Sequence, residues 1–242
     1  MPSLSVVIPA FNEELYLPRT LECVDQAVAY LGDQREHRVE VVVVDNASTD
    51  RTAEIAASFG TRIVSTPEHN IARVRNSGAA AAGGDLLVFL DADTLVPKQL
   101  LSRIVEVMHE PTCVGGAVDI DYRPARILIR AYLRLWRVVG LTLGMAQGAT
   151  QFCRREAFTT LNGYDDTLYM GEDVDFYWRL RQLAKGRGQR VRFLRDVRVV
   201  PSCRRFDRWP ILRTLVETNP FYITLFRRRQ SAWHGWYHDV PR

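Results

Sequence analysis

Three carboxylates stand out for where they fall in the chain. Asp91 and Asp93 close the run "LLVFLDADT", one residue apart, where an apolar strand-forming stretch gives way to a loop. Asp173 lies between Glu172 and Asp175 in "GEDVDFYWRL". Two like charges this close repel unless a cation sits between or beside them. Ligands that are all oxygen suit Mg²⁺ or Mn²⁺, hard ions that keep positions open for substrate phosphates. A structural role competes with this one: Asp93 can cap a turn ahead of Pro97 and its helix. Glu172, Asp173 and Asp175 are also what the first turn of any helix prefers.

The elements that would position these residues can be read from the hydrophobic pattern. "LSVVIP" and "VEVVVVD" are continuous apolar runs of the kind found in strands covered on both faces. Between them Leu17, Leu21, Val24, Val28 and Leu31 recur at helical spacing. A helix follows in "STDRTAEIAASFG", with Ser48 or Thr49 expected as its cap and Gly60 as its stop. Then come a short strand in "TRIVST", the Ala-rich "NIARVRNSGAAAAGG" and the strand "DLLVFL". This alternation predicts an α/β fold, a mostly parallel sheet with helices on both faces. Ligands of such sheets sit beyond the carboxyl ends of the strands, which brings together "PAFNEE", "DNASTD" and "DADT". The second half reads as a strand in "CVGGAVDIDY", a strand and short helix in "GATQFCRREAFTTLNGYD", a helix from "GEDVDFYW" and a closing strand or hairpin in "QRVRFLRDVRVVP".

"LSVVIPAFNEE", "VVVVDNASTD", "ARVRNSGAAAAGGDLLVFLDADT" and "GEDVDFYWRL" stand in the order and approximate spacing of the family 2 glycosyltransferases, and over residues 3–205 the sequence resembles that family. The resemblance implies the GT-A fold, a Rossmann-like sheet with a smaller acceptor-side half, and inverting transfer from a nucleotide-sugar. It implies a nucleotide site at Pro9, Ala10, Phe11, Glu13, Asp45, Ala47 and Ala92, with Phe11 near the base. Arg75 and Asn76 would approach the donor diphosphate, and Gly78 would let backbone come close. Asp91 would contact ribose or metal, Asp93 would bind Mn²⁺ or Mg²⁺, and Asp173 would be the base. The competing readings are a turn or cap residue for Asp45 and a solvated helix charge for Arg75. A helix N-terminus is expected to keep Asp173 ionised, leaving its pKa little raised. Glu172, Asp175 and Trp209 are acceptor-side candidates. "RRFDRW" has the spacing of the family's "QxxRW" element but carries Arg205 where Gln belongs. His234 and His238 come too far downstream to be assigned as a third metal ligand.

Composition sets the outer limits. The 242 residues are 47% hydrophobic and 25% charged, those of an ordinary globular protein. A single domain is expected, with a nucleotide-sugar half over 1–95, an acceptor half over 96–205 and an extension over 206–242. The first 120 residues hold nine Lys/Arg against seventeen Asp/Glu, a net of −8. The rest hold twenty-three against eleven, a net of +12, which suits phosphate, anionic lipid or nucleic acid. Nearly all these cations are Arg, which codon bias explains as readily as anion binding. No motif supports nucleic acid, and no GxGxxG follows the first strand. No apolar run spans a bilayer, no signal peptide is evident, and Cys23, Cys113, Cys153 and Cys203 lack metal-ligand spacing, so a cytoplasmic protein with free thiols is expected. Arg126, Arg130, Arg134 and Arg137 recur at helical spacing among Ile127, Leu128, Leu133, Leu135, Trp136 and Val138. That is the pattern either of a basic amphipathic helix at the inner face of a membrane or of a surface helix packed on the core. Expected partners are a nucleotide-sugar donor and a glycan or lipid-linked acceptor. The competing readings are a sugar nucleotidyltransferase, whose Gly-rich basic loop "PAFNEE" lacks, and an inactive nucleotide- or glycan-binding protein.

Overall fold

The computed structural model describes residues 3–32, 38–67, 69–146, 148–233 and 235. The first half is β1 (Leu4–Ala10), α1 (Leu17–Gly32), β2 (Val39–Asp45), α2 (Thr52–Ser58), β3 (Arg62–Ser65), α3 (Ile71–Ala81) and β4 (Leu86–Leu90). After it come β5 (Thr94–Leu95), α4 (Leu100–Met108), β6 (Cys113–Ile120), α5 (Ile127–Leu143), β7 (Thr150–Arg154), α6 (Arg155–Thr160), α7 (Glu172–Gly186) and β8 (Arg190–Pro201). Three short helices follow, α8 (Arg204–Arg208), α9 (Ile211–Glu217) and α10 (Pro220–Phe226), and then a 3₁₀ turn over Gln230–Trp233. The eight strands form one sheet in the order β3-β2-β1-β4-β7-β6-β8-β5. The first four are parallel, β7 runs antiparallel between β4 and β6, and β8 lies parallel to β6.

Alternation along the strands explains why both faces are covered. On β1, Leu4, Val6 and Ile8 pack with Leu17 and Leu21 of α1 and Ile104 of α4. Val7 points the other way, against Ala72, Val74 and Ala79 of α3. The chain leaves β1 toward β2 and β3, then returns to place β4 on the opposite side of β1. That reversal opens a crevice at the strands' carboxyl ends, where both "PAFNEE" and "DADT" lie.

Two local expectations are corrected, and one that was left open is resolved. Ser48 and Thr49 do not cap α2; Asp50 Oδ1 accepts from the Thr52 N–H (2.9 Å) instead. Ser48 and Thr49 bond to Asn12, the first by accepting from its N–H and the second by donating to Oδ1 (2.6 Å), zipping the first two loops together. Gly78 faces the sheet, where a Cβ would stand 2.4 Å from Val7 Cγ1 and 2.6 Å from Val44 Cγ2, so its bareness serves helix–sheet packing. The closing segment is one strand rather than a hairpin, with its register to β6 broken between Val118 and Asp119.

Candidate active site

The turn after β4 is held from several sides. Asp91 N–H donates to the Ala149 carbonyl (3.2 Å), Ser202 N–H to the Asp93 carbonyl (2.9 Å), and Thr20 Oγ1 to the Ala92 carbonyl (2.8 Å). The pairing of Thr94 with Pro201 fastens the turn to the end of β8. Asp91 and Asp93 therefore project from a fixed backbone into a cavity of about 620 Å³, also lined by Pro9, Ala10, Phe11, Glu13, Arg75, Ala92, Glu172, Asp173 and Asp175. That volume fits a ligand of cofactor size.

Each carboxylate of the pair meets an arginine. Arg75, almost fully buried on α3, donates from Nη2 to Asp91 Oδ1 (2.8 Å) and from Nη1 to Glu172 Oε1 (2.5 Å). Burial works against its charge, but Asp91 and Glu172 together more than offset this and raise its pKa. Arg204, at the start of α8, lies over the Tyr16 ring (4.4 Å), bonds Glu13 Oε1 and sits 3.2 Å from Asp93 Oδ2. Its Nε and Nη1 are buried without a hydrogen-bond partner, as is Glu13 Oε2. Burial, with Glu13 and Asp91 nearby, pushes the Asp93 carboxyl up to about 7 despite Arg204. A buried carboxyl lifted by its acidic neighbours, and an orphaned buried carboxylate oxygen beside it, form an oxygen donor set that a divalent cation would relieve. Among the described residues no three His, Cys, Asp or Glu side chains converge into a cage. Mg²⁺ or Mn²⁺ fits without one, since such ions take one or two carboxylates and complete their shell with substrate phosphate and water. His234 and His238 lie outside the described residues.

Asp173 opens α7, which starts from Gly171 in the left-handed region (φ 75°) with no side-chain cap. Its Oδ1 accepts from the Val174 N–H (2.7 Å), and its carbonyl accepts from Gln151 Nε2 (2.9 Å). Gln151 Oε1 in turn accepts from the Tyr164 hydroxyl (3.1 Å). A Cβ at Gly148 would stand 2.5 Å from Asp173 Cβ and 2.7 Å from Oδ2, so the carboxylate occupies space that only glycine leaves free. The expectation of a little-changed pKa fails here. Burial, then the neighbouring Glu172, lift Asp173 to about 7, and the pull of Arg75 and the Val174 N–H falls short of cancelling them.

Not every candidate reaches the cavity wall. Asn76 clamps the turn before α7: its Nδ2 donates to the Tyr164 carbonyl and its Oδ1 accepts from the Tyr164 N–H, both 2.9 Å. Asp45 Oδ1 accepts from the Ser48 N–H (3.3 Å), as expected of a turn residue, and Ala47 contributes a left-handed backbone (φ 56°) rather than a wall. Trp209 is packed, with the Arg213 guanidinium 4.0 Å over its ring. Glu172 and Asp175 line the cavity, but their carboxylates are paired with Arg75 and with Arg179 (2.7 Å). Phe11 lines it too, its ring 4.7 Å from that of His69. Sequence reasoning missed Arg204, Gln151 and Gly148. "RRFDRW" was the only signal for the first, read as a defective motif. The others touch Asp173 only through the fold.

A family model described as glycosyl transferase family 2 matches residues 5–161, from β1 through α6. The chain belongs to this family. Glycosyltransferase AglE of Haloferax volcanii is 27% identical over 210 residues, covering 81% of this chain and 66% of that protein. The undecaprenyl-phosphate 4-deoxy-4-formamido-L-arabinose transferase of Klebsiella pneumoniae is 33% identical over 157 residues, 60% of this chain and 45% of that protein. The chain thus spans less than two thirds of either relative. Among solved structures, the mannosyltransferase PcManGT of Pyrobaculum calidifontis, in complex with GDP-Man and Mn²⁺, superposes with a TM-score of 0.62 at 24% identity, over 94% of this chain and 61% of that one. Likeness at that identity speaks for the fold, an α/β sheet of the GT-A kind.

Proposed function

We propose that the protein is a metal-dependent, inverting glycosyltransferase that moves a sugar from a nucleoside-diphosphate donor to a hydroxyl of a glycan or lipid-linked acceptor, working at the inner face of a membrane. The observation that carries this reading is that the Asp91/Asp93 pair after β4 and Asp173 at the start of α7, from two distant stretches of sequence, face one cavity. In this reading residues 1–95 bind the donor, 96–205 the acceptor, and 206–242 extend the acceptor side. Phe11, Pro9 and Ala10 form the nucleotide wall. Glu13, Asp91 and Asp93 supply the oxygens that would hold Mn²⁺ or Mg²⁺, an ion present with the donor in the Pyrobaculum mannosyltransferase structure. When bound, the ion acts as a Lewis acid on the diphosphate and is worth several kcal/mol. Arg75 holds Asp91 in place, and the unpartnered Nε and Nη1 of Arg204 offer preorganised donors to phosphate oxygens. On the other side of the sugar, Asp173 takes the proton of the acceptor hydroxyl as its oxygen attacks the anomeric carbon. The bond to the diphosphate oxygen breaks with its electron pair going to that oxygen. One base and no second nucleophile give inversion.

The test is a thermal-shift panel of UDP, GDP, dTDP and CMP, each with Mn²⁺ and again with EDTA. One nucleotide should stabilise the protein selectively, and EDTA or Asp93→Ala should abolish the shift. No shift from any of them, with or without metal, would reduce the reading to an inherited scaffold.

A further inference from the structure

The sequence pattern of α5 left open which face turns inward, and in the structure most of its arginines reach partners within the protein. Arg137 turns inward to the buried Asp119 (2.5 Å), Arg126 Nη1 donates to the Trp209 carbonyl (2.6 Å), and Arg130 Nη2 to the Pro124 carbonyl (2.8 Å). Most of what α5 shows to solvent is apolar: Ile127 is 77% exposed, Leu128 70%, Leu135 60%, Val138 55% and Leu143 61%. These positions recur at helical spacing and form a single stripe along a helix of seventeen residues, about 25 Å long. Beside it, the Tyr132 hydroxyl meets Thr218 Oγ1 (3.0 Å) just beyond α9, and α9 and α10 add Leu212, Phe221 and Leu225, each at least 74% exposed. An unpartnered apolar ridge of this length is not what a monomer leaves in water without use.

The charges around the ridge say what covers it. Residues 122–143 hold five arginines and no acid. Residues 208–233 hold five arginines and a single acid, Glu217, which Arg213 already pairs at 2.7 Å. Arg134 is exposed within the stripe itself, and Arg228 and Arg229 are exposed beyond α10. Apolar side chains flanked by cations and almost free of carboxylates complement an anionic lipid surface. Among the described residues no helix is long and apolar enough to cross a membrane, so the ridge would lie on the bilayer rather than span it. Its position gives it a purpose. The inward faces of the same helices, through Leu133, Trp136, Ile223 and Thr224, line the cavity that holds Asp173.

The geometry points to a membrane-docking surface, formed by α5 with α9 and α10, that seats on anionic lipid and sets the acceptor side of the cavity at the headgroup level. It deepens the transferase reading and rests on it only for the acceptor. The test is flotation of the whole chain with vesicles of phosphatidylcholine alone or with added phosphatidylglycerol, at low and high salt. Wild type should bind the anionic vesicles at least about tenfold better than the neutral ones, and high salt should weaken this. The double variant Leu135→Glu/Val138→Glu, altered at exposed positions outside the cavity, should lose about tenfold or more of that binding. Wild type failing to float, or the double variant floating equally well, would overturn the proposal. So would a double variant that splits a dimer on gel filtration in a protein that never floats, since a second copy would then cover the ridge. Thermal shifts with nucleotide on the same samples separate the two readings: an intact shift without flotation sinks the docking surface alone, and flotation without a shift sinks the transferase alone.

Discussion

Arg75 is the residue whose removal tests the charge architecture most directly. Its side chain is 4% exposed and bridges Asp91, 35% exposed, and Glu172, 8% exposed. Arg75→Ala would leave the Glu172 carboxylate buried with no cation. Breaking a buried pair from one side costs about 3–5 kcal/mol. Asp91 is exposed enough for water to take over its solvation, so it adds at most about 1 kcal/mol. A chain of this size loses about 2–4 °C of melting temperature per kcal/mol, so a fall of about 6–24 °C is expected. The double variant Arg75→Met/Glu172→Gln should recover most of it, because neither partner then leaves a charge behind. Arg75→Lys should fall between, since a single ammonium cannot fork to both carboxylates.

The loss should also depend on pH, in a direction the structure fixes. Asp173 already titrates near about 7 with Arg75 pulling it down, so removing Arg75 lifts it further. A carboxyl whose folded pKa exceeds its unfolded one costs stability above that pKa, and the cost disappears once pH falls below the ordinary carboxylate range. Urea denaturation of wild type, Arg75→Ala and the double variant at about pH 8 and about pH 5 would check both points. A loss under about 1 kcal/mol, or one that does not shrink at the lower pH, would refute the claim that this guanidinium holds the acidic cluster together.

Asp173→Asn should lower kcat by about 10²–10⁴, read as nucleoside diphosphate release from the donor that the thermal panel selects. Because the base must be ionised, wild-type activity should rise through about pH 7 and level off above it, and a flat profile would dismiss Asp173 as base. Gly148→Ala should displace the Asp173 carboxylate, because the added Cβ would stand 2.7 Å from its Oδ2, cutting kcat by about 10²-fold while nucleotide shifts stay at the wild-type value. Equal losses in nucleotide affinity and kcat would mean the added methyl disturbs the fold rather than the base.

The donor half was legible because its signals are local. Runs such as "VEVVVVD" allow only a strand covered on both faces, and the β/α alternation then dictates which loops share the crevice. The errors concern choices made at longer range. Asn76 follows Arg75 by one residue, so α3 sends the two side chains in different directions, one to the cavity and one to the Tyr164 backbone. Helical spacing predicted α5 but not which of its faces turns inward, because that depends on Asp119 waiting on β6. The Asp173 pKa was misjudged because the favourable helix N-terminus is visible in sequence, and the burial that outweighs it is not.

The net +12 of the second half can now be apportioned. It looked like a surface for any polyanion, yet much of it is spent inside the protein. Arg154 and Arg155 tie carbonyls of Met108, Cys113, Ala79 and Gly84 across chain segments that the sequence keeps far apart. Arg137 and Arg198 both neutralise Asp119, and Arg204 answers Glu13 and Asp93. A guanidinium suits such work because its planar fork holds several acceptors in fixed, widely spaced directions, where lysine offers one compact ammonium. The preference for arginine over lysine thus has a structural use at these positions, whatever codon bias adds. Once these inward-facing groups are set aside, part of what remains is the exposed Arg134, Arg228 and Arg229, beside an apolar ridge and not along a groove. Nucleic acid needs a charged track along its backbone, with stacking aromatics where it is single-stranded. A ridge of leucines rimmed by cations matches a lipid surface instead.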